Sequence, residues 1–351
     1  MKIRDHLLSG QVIPALPLAL DERRTLSEKH QRALVRYYID AGCGGLAVGV
    51  HSTQFEIRDP RHGLFEPVLA LASETMDASL SRESRAFAKI LGVCGDTPQA
   101  LREAQTGKAL GYHAALLSLT AVQHLEDAAI LDHCREVAAC LPVIGFYLQP
   151  AVGGRPFAHA FWQAFAEIEN VVAVKIAPFN RYCTLDVVRA VIGSGRDDIA
   201  LYTGNDDNII ADLLTPFTFE GPDGPATRFI DGGLLGQWGV WTRKAVLLLE
   251  EIKKVREPAA SVSLEWLNRN AALTDMNAAV FDAANGFAGC IPGIHEVLRR
   301  QGLLPGTWCL DPAEVLSPGQ AEELDRVQRS YPEFTDDGFV REHLSRWLES
   351  P

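Results

Sequence analysis

VVAVKIA, residues 171–177, is apolar at every position except Lys175 and rich in β-branched side chains. A strand with one wet face alternates apolar and polar residues. An unbroken apolar run belongs to a strand covered on both faces, the usual situation in a parallel sheet. Seven other runs share the pattern: VIPAL (12–16), GLAVGV (45–50), AKILGVC (88–94), AALLSLT (114–120), PVIGFYL (142–148), IALYTG (199–204) and, less clearly, FIDGGLL (229–235).

Segments with helical spacing separate the runs and carry their own punctuation. TLSEKHQRALVRYYIDAG offers Thr25 or Ser27 as N-cap and Gly42 as the terminating glycine. DTPQALREAQTGKALG offers Thr97 as N-cap, with Pro98 at the first helical position. Strand and helix alternating eight times, over roughly the 250 residues such a fold needs, predict a (β/α)8 TIM barrel; a doubly wound open sheet is the alternative. Helical spacing at 262–285, 290–301, 320–330 and 337–349, with no strand between, predicts a helical addition. The expected organisation is a catalytic barrel over 1–257 and a C-terminal helical extension over 258–351. PFTFEGPDGPATR (216–228) is expected to be a loop, from its Gly and Pro density.

The chain of 351 residues carries 45 acidic and 33 basic side chains, a net charge of −12. That balance argues against a nucleic-acid partner, which would require clustered Lys and Arg. Seven scattered cysteines without a CxxC pair fit neither a disulfide framework nor a zinc site, and predict reduced thiols in the cytoplasm. Lys2 and Arg4 precede an apolar stretch from Val12 to Leu20, but Pro14 and Pro17 interrupt it, so a first strand is expected there rather than a signal peptide. No run approaches the ~18 apolar residues of a membrane-spanning helix, and no membrane partner is expected.

In a barrel of this kind the reacting groups lie at the C-terminal ends of the strands and in the loops after them. Lys175 stands out because it interrupts an apolar strand. Desolvation disfavours the ammonium, and a neutral amine is the nucleophile that forms a Schiff base with a carbonyl compound. The alternative is a lysine paired with a buried carboxylate. Tyr147 closes PVIGFYL on the neighbouring strand and is expected near Lys175, where its hydroxyl would relay protons; an ordinary half-buried aromatic is the alternative. After the second run comes GVHSTQFE, in which Gly49 permits close backbone approach and His51, Ser52 and Thr53 offer donors for a carboxylate. His51 is also a candidate general acid or base. The GNDDN turn (204–208) is read as a helix cap formed by Asp206 and Asp207 rather than a metal site. No histidine has ligand spacing, so neither metal nor cofactor is expected.

With these residues in place, the chain resembles the dihydrodipicolinate synthase and N-acetylneuraminate lyase family of class I, Schiff-base-forming barrels, over roughly residues 10 to 300. FYLQPAVGG matches the family's YNxPxxxG pattern, VVAVKIA its GxK strand, LYTGNDD its GxD turn, and GVHST lies where the family carries GTTGE. The resemblance implies Lys175 as the Schiff-base residue and Tyr147 as the catalytic tyrosine, with His51 as a possible relay substitute. It also implies a substrate-binding set of Gly49, Val50, Ser52, Thr53, Phe55, Asn205, Leu235 and Trp238, and a homo-oligomer, dimer or tetramer.

Departures limit the transfer. Val50 and His51 replace the two threonines of GTTGE, and Thr53 its glutamate. Ala121 and Val122 stand where synthases carry a tyrosine pair, and Val152 where they carry a carboxylate-gripping arginine, for which Arg155 or Arg181 is a candidate substitute. A lysine-pathway synthase is therefore not expected. Phe55, Trp238 and Trp241 favour a less polar acceptor, as in the family's hydratase-aldolase branch, whose tail is comparably long. The expected activity is a lyase or synthase making or breaking a C–C bond between pyruvate, or a related 2-keto acid, and an aldehyde. A dehydratase or hydratase of a 2-keto-3-deoxy acid and a non-catalytic keto-acid-binding paralogue are the alternatives.

Overall fold

The computed structural model describes residues 1–82, 84–150, 153–257 and 261–349. In chain order the elements are α1 (Ile3–Leu8), β1 (Val12–Pro14), α2 (Glu28–Asp40), β2 (Gly45–Val48), α3 (Phe65–Leu80), β3 (Ala88–Val93), α4 (Thr97–Ala109), β4 (Ala114–Leu117), α5 (Asp127–Cys140), β5 (Val143–Leu148), α6 (His159–Ala166), β6 (Val171–Ala177), α7 (Arg181–Gly193), β7 (Ala200–Thr203) and α8 (Ile209–Leu214). They continue with β8 (Phe217–Gly221), β9 (Gly224–Arg228), β10 (Gly232–Leu235), α9 (Thr242–Val255), α10 (Glu265–Val280), α11 (Cys290–Arg300), α12 (Gln320–Ser330) and α13 (Asp337–Trp347). Each of the eight apolar runs holds one strand of a single eight-stranded sheet, and a helix follows each strand. This is the (β/α)8 barrel fold with added C-terminal helices.

The chain forms two compact units, Met1–Gln11 with Ala88–Leu234, and Val12–Phe87 with Leu235–Pro351. In the first, β10, β7, β6, β5, β4 and β3 are parallel neighbours in that order. The strand residues are buried almost throughout, as apolar parallel strands should be. α1 is tied to this sheet by Arg4, which donates to the Val171 carbonyl (3.0 Å) and pairs with Asp198, and by the Tyr202 hydroxyl, which donates to the Leu7 carbonyl (2.8 Å).

The segment 216–228 differs from the expected loop. It is an antiparallel hairpin, β8 on β9, with Gly221 opposite Gly224. Pro222 and Asp223 form its two-residue turn, and Gly224 takes the left-handed conformation (φ +110°) that favours glycine. The alternating exposure of FTFEG is that of a strand with one wet face. Two caps also differ from expectation. Asp96, not Thr97, caps α4 by accepting from Gln99 N (3.0 Å), and α8 begins after Asn208, leaving Asp206 and Asp207 outside the cap position.

In the second unit β1 and β2 run parallel through the Ala15 and Ala47 bridge. The C-terminal helices are held by the buried carboxylate of Asp336. It accepts from the Tyr37 hydroxyl of α2 (2.8 Å), from Arg243 N of α9 (3.0 Å) and from Gln301 Nε2 at the end of α11 (2.9 Å). Burial raises the Asp336 pKa, so these donors offset a real desolvation cost. At the chain end, Arg36 Nη1 donates to the carbonyls of Trp347 (2.6 Å) and Glu349 (2.7 Å).

Candidate active site

Strand register in the first unit sorts the candidate side chains by face. Phe146 is paired with Lys175, and Lys175 with Tyr202; Tyr147 is paired with Ile176, and Ile176 with Thr203. Paired residues on parallel strands share a face, and successive residues alternate. Lys175 therefore shares its face with Phe146, and its Nζ lies 4.3 Å from the centre of the Phe146 ring.

Tyr147 points the other way, into the helix layer. Its ring packs against Trp162 of α6 at 4.9 Å between centroids, and its hydroxyl accepts from Phe157 N at 3.1 Å. Burial raises the phenol's pKa, with Cys183 beside it. The expected placement of the Tyr147 hydroxyl near Lys175 is thus corrected: aromatic residues occupy both faces of β5 here, and the register gives the lysine side to the one without a hydroxyl.

Lys175 has the electrostatics of an amine poised to lose its proton. Burial lowers its pKa from 10.5 to about 8, and the charge of Asp206 opposes the shift. The Phe146 ring also favours the cation. Space for the side chain is provided by Gly204 at the end of β7, where a Cβ would lie 2.7 Å from Lys175 Cε. Asp206, two residues on, is buried.

Asn205 lies between them with its side chain fully engaged. Its Oδ1 accepts from Phe179 N (3.0 Å), and its Nδ2 donates to Thr184 Oγ1 (3.1 Å) and Asp212 Oδ2 (2.9 Å). Asp212, buried completely, also accepts from Thr203 Oγ1 (2.7 Å) and Asn208 Nδ2 (3.0 Å) and pairs with Arg181. Asn205 therefore fixes the turn that carries Gly204 and Asp206, and Arg181 is occupied by Asp212.

Arg155 is occupied as well. Its Nη1 donates to the carbonyls of Gln123 (2.6 Å) and Leu125 (2.8 Å), and it pairs with Asp127. Val152 lies outside the described residues. Beside Phe146, at the ends of β4 and β5, is a small cavity of about 10 Å³, room for no more than a water molecule, walled by Leu119, Leu148 and Phe157, with Thr120, Gln123 and Arg155 at its edge.

The remaining candidates belong to the second unit. Gly49 has φ +76°, and Thr53 Oγ1 accepts from Gly49 N (3.0 Å) and Val50 N (3.3 Å) while donating to the Leu16 carbonyl (2.7 Å). His51 is exposed, its ring 6.2 Å from that of Phe55. Ser52 Oγ is buried with no hydrogen-bond partner among the described residues. Leu235 is fully buried. Trp238 and Trp241 face a small cavity of about 20 Å³ beside Leu248 of α9 and Leu273 of α10, so they line the helix layer of this unit.

The register partner Phe146, the buried Asp206 and the network around Asp212 were not legible as site features in the sequence. Asp206 had a signal, a carboxylate two residues past a strand-ending glycine, that a cap would produce equally well.

The model of the dihydrodipicolinate synthetase family matches residues 8–218. Among solved structures, the chain is similar to N-acetylneuraminate lyase from Fusobacterium nucleatum, at 18% identity and a TM-score of 0.70 over 94% of this chain and 100% of that one. It is also similar to an Escherichia coli K12 prophage protein of the dihydrodipicolinic acid synthase family solved with pyruvate, at 18% identity and a TM-score of 0.72 over 92% and 98%. Dihydrodipicolinate synthase from Aquifex aeolicus gives 16% identity and a TM-score of 0.70 over 93% and 99%. At these identities the likeness is one of fold. A search of curated proteins finds no match.

Proposed function

The chain belongs to the dihydrodipicolinate synthetase family, and from that premise we propose that it is a class I lyase or synthase acting on pyruvate or a related 2-keto acid through an imine on Lys175. The observation that carries this reading is the environment of Lys175: an amine on an apolar strand, its pKa lowered to about 8 by burial, with Gly204 leaving room along its stem.

The neutral amine adds to the C2 carbonyl of the keto acid, and water leaves to give the imine. Loss of a proton from C3 gives an enamine whose C3 attacks an aldehyde, and hydrolysis of the new imine frees product and lysine. Cleavage runs the same steps backwards. These steps need a proton carrier at the nitrogen. Asp206, whose charge acts on Lys175, is proposed for that role because the Tyr147 hydroxyl is bound to Phe157 on the opposite face.

The turn Gly49–Thr53 is proposed to bind the keto-acid carboxylate by its place in the family's pattern, with His51 as a further proton carrier. Asn205 is proposed as a residue that positions its loop. The occupation of Arg155 and Arg181 by other carboxylates leaves neither guanidinium for a charged acceptor, which supports an apolar or aromatic aldehyde.

The test is incubation with pyruvate and a panel of aldehydes. Stoichiometric loss of pyruvate and one aldehyde into a single adduct is expected, with aromatic aldehydes preferred over charged ones. Conversion of a 2-keto-3-deoxy acid without release of aldehyde would replace this reading by a dehydratase.

A further inference from the structure

Phe146 and Lys175 are register partners on β5 and β6, and Lys175 Nζ lies 4.3 Å from the centre of the Phe146 ring. The ring is buried, 9% exposed, and the amine is desolvated beside it. Its face is the electrostatic contact of the nitrogen, because among the described residues Nζ makes no hydrogen bond and no ion pair.

The titratable groups of the neighbouring elements act from farther off. On β7 the register partner is Tyr202, whose hydroxyl donates to the Leu7 carbonyl and is kept protonated by burial. Past the end of β7, Asp206 acts on the amine through its charge. On β5, Tyr147 faces the helix layer.

Imine chemistry asks opposite things of this nitrogen. It must be neutral to attack a carbonyl and positive once the imine has formed, because the cation is what draws electrons from C3. The nitrogen lone pair makes the C–N bond as the C–O bond breaks. The oxygen leaves as water with one proton from the amine and one from an acid, and the nitrogen keeps its other proton and the charge. A carboxylate touching the nitrogen would hold the resting amine protonated. The face of a buried ring attracts a cation through its quadrupole alone and leaves the amine free to lose its proton.

We infer that Phe146 is a catalytic residue: its ring face stabilises the positive charge of the iminium formed on Lys175. The inference rests on the Schiff-base reading above and names the group that answers the charge on the reacting nitrogen.

The test is borohydride trapping of pyruvate on Lys175 across pH, in the full chain, with one, two or three ring fluorines introduced at Phe146. Fluorines drain the ring face of electron density and barely change its size, so packing is kept while the attraction weakens stepwise. Well above the midpoint of the pH profile a neutral amine becomes a cation, and trapping is expected to fall with each fluorine, by about tenfold for three. Well below it one cation replaces another, the ring's effect cancels, and trapping is expected to stay within about twofold. The midpoint therefore moves to lower pH by up to about one unit. Phe146→Leu, apolar but without a π face, is expected to match the trifluorinated ring.

An equal fall on both limbs would make Phe146 a packing residue and overturn the inference. So would a rise on the acid limb with the other limb unchanged, since the ring would then act on the resting ammonium alone. A profile that fluorination leaves unchanged overturns it as well, and each of these three results leaves the Schiff-base reading standing. A wild-type protein that never traps pyruvate overturns both.

Discussion

At the scale of single residues, the account turns on which aromatic of β5 faces Lys175. Because the Tyr147 hydroxyl bonds to Phe157 in the helix layer, Tyr147→Phe is expected to lower stability by about 1 kcal/mol, seen as a reduced Tm, and to leave turnover within a few-fold. A hundredfold loss of turnover would return the proton relay to Tyr147. Gly204→Ala places a methyl 2.7 Å from Lys175 Cε, so trapping is expected to fall at least about tenfold while the circular dichroism spectrum is kept. The amine's pKa of about 8 sets a pH dependence: trapping is fastest above that value and falls about tenfold per pH unit below it, as the amine becomes protonated. Asp206 favours the ammonium, so Asp206→Asn is expected to move the midpoint of the pH profile to lower pH; an upward or absent shift, read from the same profile, would remove Asp206 from the site. The lysine was legible in the sequence because a charge inside an apolar strand is conspicuous. The tyrosine was misread because two adjacent aromatics, Phe146 and Tyr147, give no sign of which way the pleat turns them.

At the scale of elements, the eight strands were legible because parallel strands buried on both faces are apolar from end to end. The hairpin β8–β9 was not, because its Gly and Pro residues mask the alternation in FTFEG, although Pro-Asp-Gly is itself a turn signal. α11 carries a testable consequence. His295 within it is completely buried, and burial lowers its pKa from 6.5 to about 4. Below pH 6.5 the unfolded chain takes up a proton that the folded chain refuses, so stability is lost as pH falls from about 6.5 to about 4, by ~3 kcal/mol in full. Thermal melts across that range are expected to fall less steeply for His295→Leu than for the wild type. Equal slopes would show that His295 does not carry this acid sensitivity.

At the scale of the whole molecule, the sequence announced a barrel with helices added after it, and the helices lie close to the expected segments. It could not announce that Leu310 bonds to Gln54 or that Asp336 gathers α2, α9 and α11, since contacts across hundreds of residues leave no local pattern. A net charge of −12 opposes the approach of an anionic keto acid, so attraction must come from donors within the site rather than from the overall field. The central claim is that this site forms an imine at Lys175. The protein is reduced with borohydride in the presence of pyruvate and digested, and the peptide containing Lys175 is weighed. The account predicts that this peptide gains the mass of one reduced pyruvyl group and that Lys175→Met abolishes the adduct. An unmodified Lys175 peptide, or an adduct that forms equally well on other lysines, would contradict it.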